Sequence, residues 1–323
     1  MTRSHKQTIG VWLVFFGLVI FGGLRYDNFL GSYNIASFLN YNAMFIAISI
    51  GMCFVIMTGG IDLSVGSVAA FSSVIAAYLS PYGLEVALPG GILAGVAFGA
   101  INAFFITVMR IPPFIATLAT MLGAKGGSLV ISGAQTISID WSSNFTQLGL
   151  GKAFGVLPWT IVVVLILVLF TWVLLEHMPL GRKVLAVGDN EQAATLMGLN
   201  VNRVKVFVYL LSGGCAGLAG VFLASGFGAG QPLEGVGWEL SAIAAVVVGG
   251  TLLTGGSGSV IATVGGALLL GLIFNVLNFE NGLGSISLSA YWQMVIRGGF
   301  LLGVILVQAH LVKKHALNKR SLT

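Results

Sequence analysis

Charge is what this sequence has least of. Only 8% of its 323 residues are Asp, Glu, Lys or Arg, against roughly 25% in a water-soluble domain. A soluble fold of this length would have too few polar groups to cover its surface. Cysteine is scarce too. Cys53 and Cys215 both sit inside apolar runs, so neither a disulfide framework nor a thiolate metal site is indicated. The four histidines are scattered, with no His-Glu-x-x-His and no legible Ser/His/Asp or carboxylate cluster, which argues against an enzyme. A phosphate loop is missing as well. Gly151-Lys152 is followed by Ala153, so the chain is not expected to bind ATP or any other cofactor itself. Its net charge of +5 is no nucleic-acid footprint, because the Lys and Arg gather in a few short segments.

What is present is apolar: 57% of the residues are hydrophobic and the mean hydropathy is +0.99. Lipid is the solvent in which such a composition folds. An all-α, polytopic membrane bundle of about ten helices is expected, forming one domain over 1–323. The candidate spans are 9–24, 35–57, 64–80, 87–109, 114–132, 157–175, 206–226, 239–253, 259–279 and 291–309. The third and eighth are short and flanked by glycine. All seven prolines fall at or near span ends, where they do least harm to a helix. Gly91, Gly95 and Gly99, and likewise Gly213 and Gly217, recur every four residues. That spacing makes a smooth stripe on which another helix can lie closely.

Basic residues set the orientation. Arg3 and Lys6, Arg110, the group Arg182, Lys183, Arg203 and Lys205, and the tail from Lys313 to Arg320 all fall on one side when ten spans are counted. That side is expected to be cytoplasmic, with both termini on it. The first span is followed by Arg25-Tyr26-Asp27 rather than a small-residue cleavage pattern, so it reads as an uncleaved helix.

Three segments carry more than hydropathy. Thr58-Gly59-Gly60-Ile61-Asp62-Leu63-Ser64-Val65-Gly66-Ser67 pairs helix-breaking glycines with an aspartate able to cap the next helix near Ser64 and Val65. It is either a break lining a pathway or a tight turn with a structural cap. Residues 248–260 echo it, with a glycine pair, a short gap and Gly-Ser-Val, as a duplicated transporter architecture or simple close packing would. Residues 176–205 form the one long polar segment on the basic side. Within it Asp189 or Asn190 can cap a short helix running through Met197 and ended by Gly198. Such a helix suits docking on a soluble partner, or is an ordinary interfacial loop.

At these segments, and at Ile111-Pro112-Pro113-Phe114-Ile115-Ala116-Thr117-Leu118, the chain resembles the permease subunits of bacterial carbohydrate ABC importers of the ribose and galactofuranose type. The resemblance covers nearly the whole length. It implies two permeases, identical or sister chains, in the inner membrane against two ATP-hydrolysing subunits that bind the ATP. A periplasmic binding protein would deliver the sugar. It also implies that Asn190, Glu191, Ala193, Ala194 and Gly198 belong to the segment that couples to the ATPase, although Gln192 departs from a strict Glu-Ala-Ala signature.

Pathway candidates are Asn42, Thr58, Asp62, Ser64, Asn102, Asn275 and Asn278, polar groups in or beside apolar spans. Each asparagine has the alternative of a helix–helix hydrogen bond. Glu239 and Arg297, near the outer ends of their spans, are a candidate gate pair or two independent snorkelling side chains. The rival function is an ion-coupled secondary transporter of a small polar solute, for which Asp62 and Lys125 are the ionisable groups available.

Overall fold

The computed structural model describes residues 3–153, 155, 157–282 and isolated positions between 292 and 306. In chain order the helices are α1 (Arg3–Arg25), α2 (Ser32–Met57), α3 (Val65–Leu79), α4 (Leu84–Thr107), α5 (Pro113–Ser132), α6 (Thr146–Leu150), α7 (Trp159–Glu176), α8 (Pro179–Asp189), α9 (Glu191–Leu196), α10 (Val201–Phe227), α11 (Trp238–Val248) and α12 (Val260–Gly282). Four two-residue strands form two ribbons. β1 (Ile137–Ser138) pairs antiparallel with β4 (Ala229–Gly230), and β2 (Lys152–Ala153) with β3 (Leu157–Pro158). Among the described residues, eight helices are long and apolar enough to span a membrane: α1 to α5, α7, α10 and α12. The chain is thus an all-α polytopic bundle.

α10 is its axis, packed by α2, α3 and α4. The two glycine stripes read from the sequence meet in the α4–α10 crossing. The backbone of Gly213 lies on Gly95 and Gly99, and that of Gly217 on Gly91 and Ile92. A methyl added at Gly213 would come 2.9 Å from Gly99 Cα, closer than real carbon neighbours pack. The helices touch through backbone because no side chain separates them.

Helices at the periphery show the opposite pattern. On α7, Leu165, Ile166, Leu169 and Phe170 are exposed while Ile161, Val164, Leu174 and Leu175 are buried. Apolar residues on both faces mark a helix with lipid outside and protein inside. α1 packs mainly on α12, and their ends are tied by the Tyr26 hydroxyl, which donates to Glu280 at 2.6 Å, and by Arg25 at 3.7 Å from the same carboxylate.

Two expectations change. The span 239–253 is not one helix: α11 stops at Val248, with Gly250 at φ +89°. Its 11 residues reach about 16 Å, half a bilayer core. Residues 231–237 make up the rest without regular structure, descending beside α3. Gln231 N–H donates to Ser73 Oγ at 3.0 Å, and Gly235 lies on the backbone of Gly66. Pro232 and Gly235 are buried, whereas Leu233, Glu234 and Val236 are exposed; irregular backbone at membrane depth requires protein or water against it. The 176–205 segment, in turn, holds two helices rather than one, α8 as well as α9. The tenth span, 291–309, lies largely outside the described residues.

Candidate functional site

The first glycine-rich break is built around Asp62. α2 ends at Met57, Thr58 turns its hydroxyl back to Val55 O at 2.8 Å, and Gly59 takes the left-handed conformation at φ +79°. The chain then runs without helix to Ser64, and Asp62 Oδ1 accepts from Ser64 N–H at 3.0 Å and Ser64 Oγ at 2.6 Å. This is the cap the sequence suggests. One further partner of Asp62, and the groups that extend the cluster through Ser64, come from three other helices. Ser212 Oγ of α10 donates to Asp62 Oδ2 at 2.7 Å. Asn102 Nδ2 of α4 donates to Ser64 Oγ at 3.0 Å, and Thr120 of α5 donates to Asn102 Oδ1 at 2.6 Å. Thr117 adds a 3.2 Å bond to Ile61 O. Asp62, Ser64 and Asn102 are each 1% exposed. Three of the sequence-selected residues therefore converge on one polar cluster inside packed helices.

α3 begins where this cluster ends, so its unpaired N–H groups and positive dipole end face inward. A second carboxylate, Glu239 in the first turn of α11, stands on the other side: an added methyl at Gly66 would lie 3.0 Å from Glu239 Oε2. α3 and α11 are thus two discontinuous spans that start beside each other inside the bundle, and their common region holds two acidic side chains. The intended partner of Glu239, Arg297, lies outside the described residues.

The remaining candidates are dispersed. Asn275 pairs reciprocally with Asn34 of α2, at 3.2 and 2.9 Å, a helix–helix amide clasp. Asn42 is buried, donates to Phe38 O at 2.8 Å, and packs on the bare backbone of Gly271. Asn278 occupies an exposed position of α12. Lys125 is also exposed, near the middle of α5, beside Gly123 and Gly126, which have open space before them.

At the end of the bundle where α2 stops, α8 and α9 form a compact angle. Pro179 starts α8 at its first position, where a missing N–H costs nothing. Gly181, Val184 and Val187 turn inward at helical spacing. Asn190 Oδ1 accepts from Ala193 N–H at 2.9 Å, and Gly198 at φ +81° closes the turn. Glu191 meets Lys205 at 2.8 Å. Ala194 is fully buried, whereas Leu196 and Met197 are 90% and 70% exposed. The small residues thus shape the angle, and two large apolar side chains stand out from it. Sequence reasoning did not single out that pair, nor Ser212 and Thr120. Polar residues in apolar spans were the available signal for Ser212 and Thr120. For Leu196 and Met197 the signal was two large apolar residues just before the closing glycine of a polar segment.

The sequence model of the family described as branched-chain amino acid transport system/permease component matches residues 34–305. The ribose import permease protein RbsC of Bacillus subtilis (strain 168) is 40% identical over 304 residues, covering 93% of this chain and 92% of the relative. RbsC of Haemophilus influenzae is 38% identical over 87% of this chain and 86% of its own length. The D-allose transport system permease protein AlsC of Escherichia coli (strain K12) is 36% identical over 89% and 87%. No solved structure matches.

Proposed function

We propose, from the premise that this chain belongs to the family of branched-chain amino acid transport system permease components, that it is the membrane-spanning permease of an ATP-driven importer carrying a monosaccharide across the bacterial inner membrane. The sugar-import relatives support this substrate class. Separate ATPase subunits bind and hydrolyse the ATP, a second permease of the same or a sister chain completes the pathway, and a periplasmic sugar-binding protein feeds it. Both termini, and the α8–α9 angle, are cytoplasmic.

The single observation that carries this reading is the pair Leu196 and Met197, at 90% and 70% exposure, at the tip of an otherwise polar, capped turn. Two large apolar side chains held in water by a rigid turn are what a groove in a soluble partner takes as anchors. Asn190, Glu191, Ala193, Ala194 and Gly198 hold that turn in shape. Movement of the partner shifts α8–α9 and reorients the spans about a central path.

The path borders the outward face of α5. A lysine facing hydrocarbon at the centre of a helix costs about 2.5–3.5 kcal/mol, so exposed Lys125 with its open glycines points to water or a partner chain there. Asp62, Ser64 and Asn102 brace the helices beside that path. Both oxygens of Asp62 are engaged, which leaves the ion-coupled alternative without a free carboxylate at that position. The test is co-purification: the chain should retain its ATPase subunits, and Leu196→Glu with Met197→Glu should release them while membrane insertion is unchanged. Undiminished retention by the double variant would remove the docking role.

A further inference from the structure

The α8–α9 angle reaches the interior through the buried side chains of Val184, Val187 and Ala194, and also through bare backbone. Gly188, one residue before the end of α8, lies directly on the carbonyl of Met57 and 2.6 Å, measured from an added methyl, from Gly256 N. Gly256 N–H donates to Met57 O at 3.0 Å. An added methyl at Gly255 would meet Gly188 O at 2.8 Å and Gly59 N at 2.9 Å, and one at Gly256 would meet Asp189 Cα at 2.9 Å. Three backbone segments therefore close on one point: the end of α8, the start of the 58–64 break, and the 249–259 break. Gly255 and Gly256 hold left-handed conformations, at φ +86° and +76°, which only glycine adopts without strain.

From that point, the 58–64 break leads inward to Asp62. Its hydrogen bonds continue to Ser212 on α10, and through Ser64 to Asn102 on α4 and Thr120 on α5. We infer that the glycine junction at Gly188, Gly59 and Gly255–Gly256, continued by the Asp62 cluster, is the mechanical link that makes α8–α9 and the spans α4, α5 and α10 move together. The physical basis is stiffness. At the junction backbone is packed on backbone, and in the cluster the side chains are buried and hydrogen-bonded, so neither half has the rotamer freedom that lets exposed side chains absorb displacement. A shift of α8 must carry the Met57–Gly60 turn with it, and the turn carries the buried cluster. Gly188 and Ser212 are thus positioning residues for coupling, one at each end of the link.

This inference rests on the permease reading above, so the experiment separates the two. The wild-type chain is first purified with its ATPase subunits and binding protein; absence of ATPase there would refute the permease reading itself. Gly188→Ala and Ser212→Ala complexes are then reconstituted, and sugar delivered per ATP hydrolysed is measured. That ratio is the decisive quantity, because a complex that is merely less stable loses transport and hydrolysis together. For Ser212→Ala the link predicts normal assembly, continued ATP hydrolysis and a fall in the ratio of at least about fivefold, the lower edge of typical coupling factors; for Gly188→Ala, whose added methyl displaces the Met57 carbonyl, it predicts the same fall in the complex that assembles. A wild-type ratio in either assembled variant would overturn it. If Gly188→Ala does not assemble, Ser212→Ala alone decides, since it removes one hydroxyl and leaves every backbone contact in place.

Discussion

Replacing Asp62 separates two roles that its position alone leaves confusable, holding helices together and touching sugar. The carboxylate accepts from Ser64 N–H, Ser64 Oγ and Ser212 Oγ, and hydrogen bonds to a charged group are worth about 1.5–3 kcal/mol each. In Asp62→Ala both hydroxyls can turn to nearby carbonyls, as Ser73 and Ser80 already do. The Ser64 N–H cannot, and it is left buried without its acceptor. Loss of that bond and of the charge-assisted share of the other two amounts to about 2–5 kcal/mol. For a chain of this length that corresponds to a fall in melting temperature on the order of 3–7 °C. Asp62→Asn keeps an acceptor for Ser64 but places an amide donor where Oδ2 accepts from Ser212, so that hydroxyl must turn to accept instead; with the charge assistance also lost, about 1–2 kcal/mol is expected. Its effect should overlap with that of Ser212→Ala in a double-mutant cycle, because the two share a bond. The assay is thermal unfolding of the detergent-solubilised chain beside sugar uptake. A bracing role lowers both together. Full thermal stability with abolished uptake in Asp62→Ala would refute the reasoning and make Asp62 a substrate contact.

Other consequences are open to measurement. Gly213→Leu should break the α4–α10 crossing, since even a methyl there meets Gly99 backbone at 2.9 Å; overpacking of this kind costs about 1–3 kcal/mol or more, and a melting temperature equal to wild type would contradict the packing. Asn34→Ala and Asn275→Ala each remove both bonds of one amide clasp, and Asn34→Ala also the bond to Phe29 O; each should cost about 1 kcal/mol, and the two should combine less than additively in the unfolding assay. Lys125→Cys should react with a membrane-impermeant thiol reagent, whereas a cysteine on the lipid-facing side of α7, Leu169→Cys, should not; equal protection at both would contradict a water-lined α5 face.

Much of this bundle was legible because hydropathy and span length report the same physics. Nine of the expected spans have counterparts among the described helices, and the Gly91–Gly99 and Gly213–Gly217 stripes announced a close crossing that the structure locates between α4 and α10. The eighth span was misjudged for a physical reason. Thr251, Leu252 and Leu253 continue the apolar composition beyond Val248, but Gly249 and Gly250 end the helix, and hydropathy does not distinguish buried irregular backbone from buried helix. α8 was not separated out of the polar segment 176–205, although Gly181, Val184 and Val187 already had helical spacing. In the candidate site, the Asp62 cap on Ser64 was local and therefore readable. Its bonds to Ser212, and through Ser64 to Asn102 and Thr120, join residues up to 150 positions apart, which no local pattern encodes.

The most direct test of the account is uptake by the purified complex in vesicles, with ATP enclosed on the α8–α9 side, the binding protein and the labelled monosaccharide it binds on the other, and no ion gradient. Accumulation that requires ATP and disappears with the ATPase subunits is the predicted result. Accumulation driven by a proton or sodium gradient in the absence of ATP would contradict it.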